Sequence, residues 1–210
     1  MASPIGYRER DDDFFGLHDN HPITTALTVL IGIFHSYKVA ARRISRMKQR
    51  KRARRPRCVG SVALHDTGRE ANVYCSWRPR ASKHEVLLTK WLIEAGKQLF
   101  GNTDDLLDWM KQIKRGINTN SQYRPDAEFK NLMIEWDMGT EKKKQVQAQA
   151  KRYRDCESIV LWVFQRKDVS RFNWITEVAT ENTLVMLAGD DHAYDKTGAA
   201  ISLKELFQNL

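Results

Sequence analysis

Two uninterrupted apolar runs near the C-terminal end, SIVLWVF (158–164) and TLVMLAG (183–189), dominate the hydrophobic pattern of the chain. Apolarity without alternation marks a strand buried on both faces, as in the interior of a parallel sheet. A polar stretch, TEKKKQVQAQAKRYRD (140–155), precedes the first run and reads as a helix lying on a sheet surface. WITEVATE (174–181), between the runs, reads as a short helix, and SLKELFQNL (202–210) as a closing one.

Upstream, SKHEVLLTKWLIEAGKQLFG (82–101) has a helical apolar stripe through Val86, Leu87, Trp91, Leu92 and Ala95 or Leu99. Ser82 followed by Glu85 predicts a capping box at its start, and Gly101 a stop. NTDDLLDWMKQIKRG (102–116) predicts a second helix, capped by Asn102 or Thr103 and ended by Gly116. INTNSQYRP (117–125) reads as a loop, and DAEFKNLMIEWDMG (126–139) fits a helix or a strand equally. SVALHDTGREANVYCSW (61–77) predicts two short strands about a turn at Asp66, Thr67 and Gly68.

Strand, helix, strand, helix is the grammar of βαβ units. The expected fold is therefore α/β: a Rossmann-like, mainly parallel sheet with flanking helices, preceded by an N-terminal helical arm that is apolar and then basic. The expected division is an acidic then apolar segment (1–37), a basic arm (38–58) and an α/β domain (59–210).

The apolar part of the arm holds no Asp, Glu, Lys or Arg from Ile23 to Tyr37. As a helix it would span about 22 Å, short of a hydrocarbon core of about 30 Å. A core or assembly-interface helix and a membrane anchor or interfacial helix both remain open. A secretory signal fits poorly, because positive charge follows the apolar run instead of preceding it.

Charge changes the picture. The chain carries a formal net charge of +9, but eleven Lys or Arg residues and no acid lie between Lys38 and Arg57. The remainder has 24 basic and 26 acidic residues, so the excess is local. Residues 39–53 predict a helix, stopped by Pro56. Arg42, Arg43, Arg46, Lys48, Arg50, Lys51, Arg52, Arg54, Arg55 and Arg57 are candidates to neutralise nucleic-acid phosphates or anionic lipid. A solvated linker or localisation signal is the plainer reading. Three widely spaced cysteines, Cys58, Cys75 and Cys156, exclude a zinc ribbon, make a disulfide scaffold a poor fit and suit a reducing compartment.

Candidate chemistry centres on Glu177. At the start of a return helix between parallel strands, flanked by Trp174 and Phe172, a carboxylate can act as nucleophile or general base on a glycosidic carbon. Acids also favour first helical turns for dipole reasons alone. Elsewhere, HDNH (18–21) and GDDH (189–192) are thin metal candidates, with a mobile terminus and a capped turn as the plainer readings. Glu135 and Asp137 in EWD are acids two apart without the lysine spacing of a nuclease. The six tryptophans read as core packing. No P-loop, HExxH, GxSxG or GxGxxG occurs, and no metal or cofactor is expected.

The order QVQAQAKRYRDCESIVLWVF, ITEVA, TLVMLAGDDHAY resembles the C-terminal half of nucleoside 2-deoxyribosyltransferase-like proteins, and more distantly Toll/interleukin-receptor-like domains. The resemblance implies cleavage or transfer at an N-glycosidic bond, with a nucleoside or nucleotide as substrate. It makes Glu177 the nucleophile and Glu157 or Asp155 a sugar contact, with Trp174, Asp190 and Tyr194 as further substrate-binding residues. Val178 and Ala179 stand where the family has Leu or Ile and then Gly, and CSWRPRAS (75–82) lacks the family's glycines. The alternative is a structural nucleic-acid-binding protein that uses the basic arm on phosphates and the N-terminal helix to form homo-oligomers. An intracellular, cytoplasmic setting is expected, with association to an anionic membrane left open.

Overall fold

The computed structural model describes residues 23–25, 37–49, 57–63, 70–75, 82–115, 123–165 and 169–210. The chain divides into two compact units, Met1–Lys111 and Gln112–Leu210.

In the first unit, β1 (Ile23–Thr25), α1 (Tyr37–Gln49), β2 (Arg57–Ala63) and β3 (Glu70–Cys75) precede α2 (Lys83–Leu99) and α3 (Thr103–Gln112). The three strands form an antiparallel sheet in the order β1-β3-β2. The apolar segment expected to be helical thus begins as a strand; its continuation through residue 36 lies outside the described residues. Among the described residues no helix is long and apolar enough to cross a membrane.

Helix α2 starts where Ser82 Oγ accepts the Glu85 N–H at 3.4 Å. Its apolar stripe is buried, including Val86, Leu87, Trp91, Leu92 and Ala95. Asn102 caps α3, its side-chain oxygen accepting the Asp105 N–H at 2.9 Å. The helix ends at Gln112, before Gly116, because the chain turns into a strand at Lys114. Gly96 is where α2 admits α3. A Cβ there would stand 2.3 Å from Leu106 Cδ1 and 2.7 Å from the Trp109 ring. Gly96→Val is therefore expected to destabilise the protein by about 3 kcal/mol in chemical denaturation, the upper range for overpacking a core.

The second unit comprises β4 (Lys114–Arg115), β5 (Ala127–Phe129), β6 (Leu132–Asp137), α4 (Lys143–Arg152), β7 (Ile159–Phe164), α5 (Val169–Thr176), β8 (Thr183–Leu187), β9 (His192–Tyr194), β10 (Ala200–Ser202) and α6 (Leu203–Gln208). One seven-stranded sheet has the order β10-β9-β8-β7-β6-β5-β4. The two apolar runs are adjacent parallel strands, with Val160 opposite Thr183 and Phe164 opposite Leu187. β6 joins β7 in parallel, whereas the outer pairings are antiparallel. The fold is α/β, and its sheet is mixed: parallel at the centre and antiparallel at both edges. The stretch that fitted helix or strand equally is the β5–β6 hairpin. It turns at Lys130 and Asn131, with Lys130 left-handed at φ 51°.

Register assigns the faces. Met133, Glu135 and Asp137 share one face with Val160, Trp162, Phe164, Val185 and Leu187. Val146, Ala150 and Tyr153 from the α4 segment and Ile175 from α5 pack on this face in one core. Both crossover helices lie on the same side because β6, β7 and β8 step across the sheet in one direction. The strand order never reverses among them, so the crevice of a topological switch point does not form there.

Candidate functional site

The face beneath α4 is apolar except along β5 and β6. The two-residue alternation of β6 turns Glu135 and Asp137 inward, where they are 3% and 6% exposed. A charged group so placed must be paired or neutralised, and the two acids meet that demand differently.

Asp137 is paired with Arg171 of α5. The Arg171 Nε and Nη2 donate to its two oxygens at 2.6–2.9 Å. The Gly139 N–H adds a bond of 2.6 Å. Arg171 Nη1 donates to the Glu141 carbonyl at 2.8 Å, and the guanidinium stacks 5.1 Å from the Trp174 ring centroid. Every contact of this pair ties α5 and the β6–α4 loop to the sheet.

Glu135 is surrounded differently. Gln149 Nε2 donates to one of its oxygens at 2.9 Å, and the Tyr153 hydroxyl donates to the other. Gln149 and Tyr153 are four residues apart, so one face of the α4 segment delivers both donors to one carboxyl. In the antiparallel register Ala127 faces Ile134, which places Asp126 beside Glu135. Asp126 is half-buried. Its Oδ2 accepts the Trp136 N–H at 2.9 Å, and its carbonyl accepts Arg115 Nε at 3.1 Å. Burial, and after it the Asp126 carboxylate, pushes Glu135 well above the usual carboxylate range. Burial and the neighbouring Glu135 likewise raise the Tyr153 phenol. Two acids pressed together share a proton or a cation.

Glu128 lies on the same face, opposite Met133, with its Oε2 buried and without a hydrogen-bond partner. It does not complete a cage: among the described residues no group of three or more His, Cys, Asp or Glu could hold a metal ion. Two carboxylates still suit a hard divalent cation of the Mg²⁺ type, which keeps several waters and takes phosphate oxygens for its other positions.

The residues expected from the sequence are dispersed. Glu177 does not open a helix; it follows the end of α5, because that helix starts at Val169 and closes at Thr176. Its side chain is 48% exposed and pairs with Lys143 at 2.8 Å. Gln147 Nε2 also donates to it at 2.8 Å. Hydrogen bonding to Lys143 holds its carboxyl below the usual range. Asp155 and Glu157 are exposed before the amino end of β7, whereas Asp190 follows the carboxyl end of β8. The parallel strands separate these positions by about 17 Å at 3.3 Å per residue. Tyr194, 40% exposed, pairs across the sheet with Val185. Trp174 is half-buried against the core below α5. Trp91, Trp109, Trp136 and Trp162 are buried in packing, as their number suggested.

The described parts of the basic stretch lie in α1 and at the start of β2. Arg42 and Arg46 are exposed on α1, whereas Arg43 is 8% exposed, turned to the helix's packed side with Ala40 and Ile44. Lys48 lies in the last turn of α1, and Arg57 opens β2. Arg50, Lys51, Arg52, Arg54 and Arg55 lie outside the described residues, as does HDNH.

Asp126, Gln149 and Tyr153 were not singled out from the sequence. Their signal was present: Gln149 and Tyr153 at helical spacing on an otherwise polar helix, and an acid before a short strand. It was mute without the pairing of β5 with β6. Comparison of the chain with family models, curated proteins and solved structures gives no match. The fold and site define an α/β protein with a mixed sheet and a buried acidic pair beside its central strands.

Proposed function

We propose that the second unit hydrolyses phosphodiester bonds in nucleic acid with the help of a divalent cation. One observation carries this reading: the Asp126–Glu135 pair, two acids packed side by side, with Glu135 oriented by the neutral donors Gln149 and Tyr153. Bound there, a divalent cation would supply positive charge to polarise a phosphoryl oxygen. The chain's own residues fix the carboxylates. Gln149 and Tyr153 orient Glu135, while the Trp136 N–H orients the Asp126 carboxylate and Arg115 Nε holds the Asp126 backbone carbonyl. Hydrolysis breaks one P–O bond, water supplying hydroxide to phosphorus and a proton to the leaving oxygen. The concentrated positive charge of residues 38–57 favours nucleic acid over a small phosphodiester.

N-glycosidic chemistry at Glu177 has less support, because an exposed, ion-paired carboxylate lacks the water-excluded surroundings that would orient a sugar. The test compares wild type with Glu135→Gln on single- and double-stranded DNA and RNA, with Mg²⁺ or Mn²⁺ and with chelator. Cleavage that needs the metal and falls by about 100-fold or more in the variant is expected. Binding without cleavage of any substrate would remove the catalytic reading and leave a structural nucleic-acid-binding protein. Release of free base from nucleosides, lost in Glu177→Gln, would move the chemistry to Glu177.

A further inference from the structure

We infer that helix α1 is a backbone-tracking contact for nucleic acid, its Lys38, Arg42 and Arg46 forming a cationic ladder that meets successive phosphates without reading bases. The inference deepens the nucleic-acid reading above and rests on it for the nature of the polymer. Lys38, Arg42 and Arg46 are all exposed. They recur every fourth residue, so one face of the helix presents them at steps of about 6 Å. Three cations over about 12 Å match the three or four phosphates that one strand places along that length, at about 3.4 Å of axis each. Among the described residues none of the three has a carboxylate partner. Arg43, although adjacent in sequence, is turned into the fold.

The same geometry separates nucleic acid from a membrane surface. A helix that lies in a lipid interface inserts an apolar face between the acyl chains. In α1 that face is already used: Ala40 and Ile44 are fully buried, and Val39 and Ala41 are half-buried. The α1 side chains described as exposed, Lys38, Arg42, Ser45 and Arg46, are cationic or polar, a surface that binds anionic polymers by counterion release.

The experiment measures binding of the full chain to a short random-sequence DNA duplex by fluorescence anisotropy in chelator, across a range of KCl. Replacing Lys38, Arg42 and Arg46 together by Ala is expected to lower the slope of log K against log salt by about 2.7, at about 0.9 per phosphate contact. The loss should be equal for unrelated sequences. The charge-preserving set Lys38→Arg, Arg42→Lys and Arg46→Lys should keep the wild-type slope. An unchanged slope in the folded alanine variant would overturn the inference. So would phosphatidylserine vesicles that displace the duplex as effectively, charge for charge, as unlabelled DNA. Because the measurement excludes divalent cations, a protein that never cleaves can still show the slope change. One that cleaves can still fail to show it.

Discussion

Arg171→Ala is expected to lower the free energy of unfolding by about 3–5 kcal/mol in urea or guanidinium titration, the range for breaking a buried ion pair from one side. The side chains of Arg171 and Asp137 are 4% and 3% exposed, so water does not replace the lost partner. Among the described residues, truncation leaves the buried Asp137 carboxylate with the Gly139 N–H as its remaining donor, takes the donor from the Glu141 carbonyl and uncovers one face of Trp174. Replacing both members by apolar residues, Arg171→Met with Asp137→Leu, should recover a large part of the loss, since the desolvation cost of the charges disappears with them. A loss below about 1 kcal/mol for the single variant would place the pair in solvent.

Glu135 should give the protein an unusual pH dependence in the absence of metal. Its folded pKa lies above the unfolded value of about 4.3, so the native state holds the proton more tightly than the unfolded chain. Its stabilising share is complete below about pH 4.3 and is lost as pH rises through the folded pKa. Glu177, Asp191, Asp195 and Glu205, all held below their usual values, act in the opposite sense, losing their share as pH falls. Comparison with Glu135→Gln cancels them. The amide resembles the protonated acid in shape, so the variant should equal wild type in acid and exceed it increasingly toward neutral pH in chelator. Adding Mg²⁺ should reverse the order, because cation binding favours the ionised acid and stabilises only wild type. Parallel stability curves for the two proteins would show that Glu135 titrates as an ordinary carboxyl.

These two expectations come from one strand. β6 turns Glu135 and Asp137 to the same face, yet one is a fixed carboxylate locked by a guanidinium and the other a proton-sharing acid held by an amide and a phenol. Asp137 anchors α5 and the loop before α4. That anchoring keeps the α4 segment, with its Gln149 and Tyr153, pressed against Glu135. Arg171 is thus a positioning residue for the acidic pair, while Lys143, Gln147 and Glu177 join α4 to the end of α5 at the surface.

Much of the layout was legible in the chain. The runs 158–164 and 183–189 announced doubly buried strands, because Ile159–Phe164 and residues 184–188 are apolar without interruption and leave no polar side to face solvent. The helices at 82–101 and 140–155 announced themselves by periodicity and, for the first, by the Ser82 cap. The edges of the sheet were less legible. β9, β10, β5 and β4 have two or three residues each, too few for an alternation to register. Glu177 misled for a related reason. An acid in ITE suits a helix start, but the helix here begins earlier, at Val169, and is already complete at Thr176.

The sequence by itself determined the α/β class, the parallel pairing of the two greasy strands, and the confinement of excess positive charge to residues 38–57. Each of these is a property of residues close together in the chain, where period and composition speak directly. Only the tertiary structure decided that Asp126 and Glu135 meet, that Asp137 is spoken for by Arg171, and that Arg43 turns inward while Lys38, Arg42 and Arg46 face out. Those outcomes depend on strand register and on which helix face is covered. Register and packing are settled by contacts between distant segments, and a shift of one residue in strand register would send the same side chains to the opposite face.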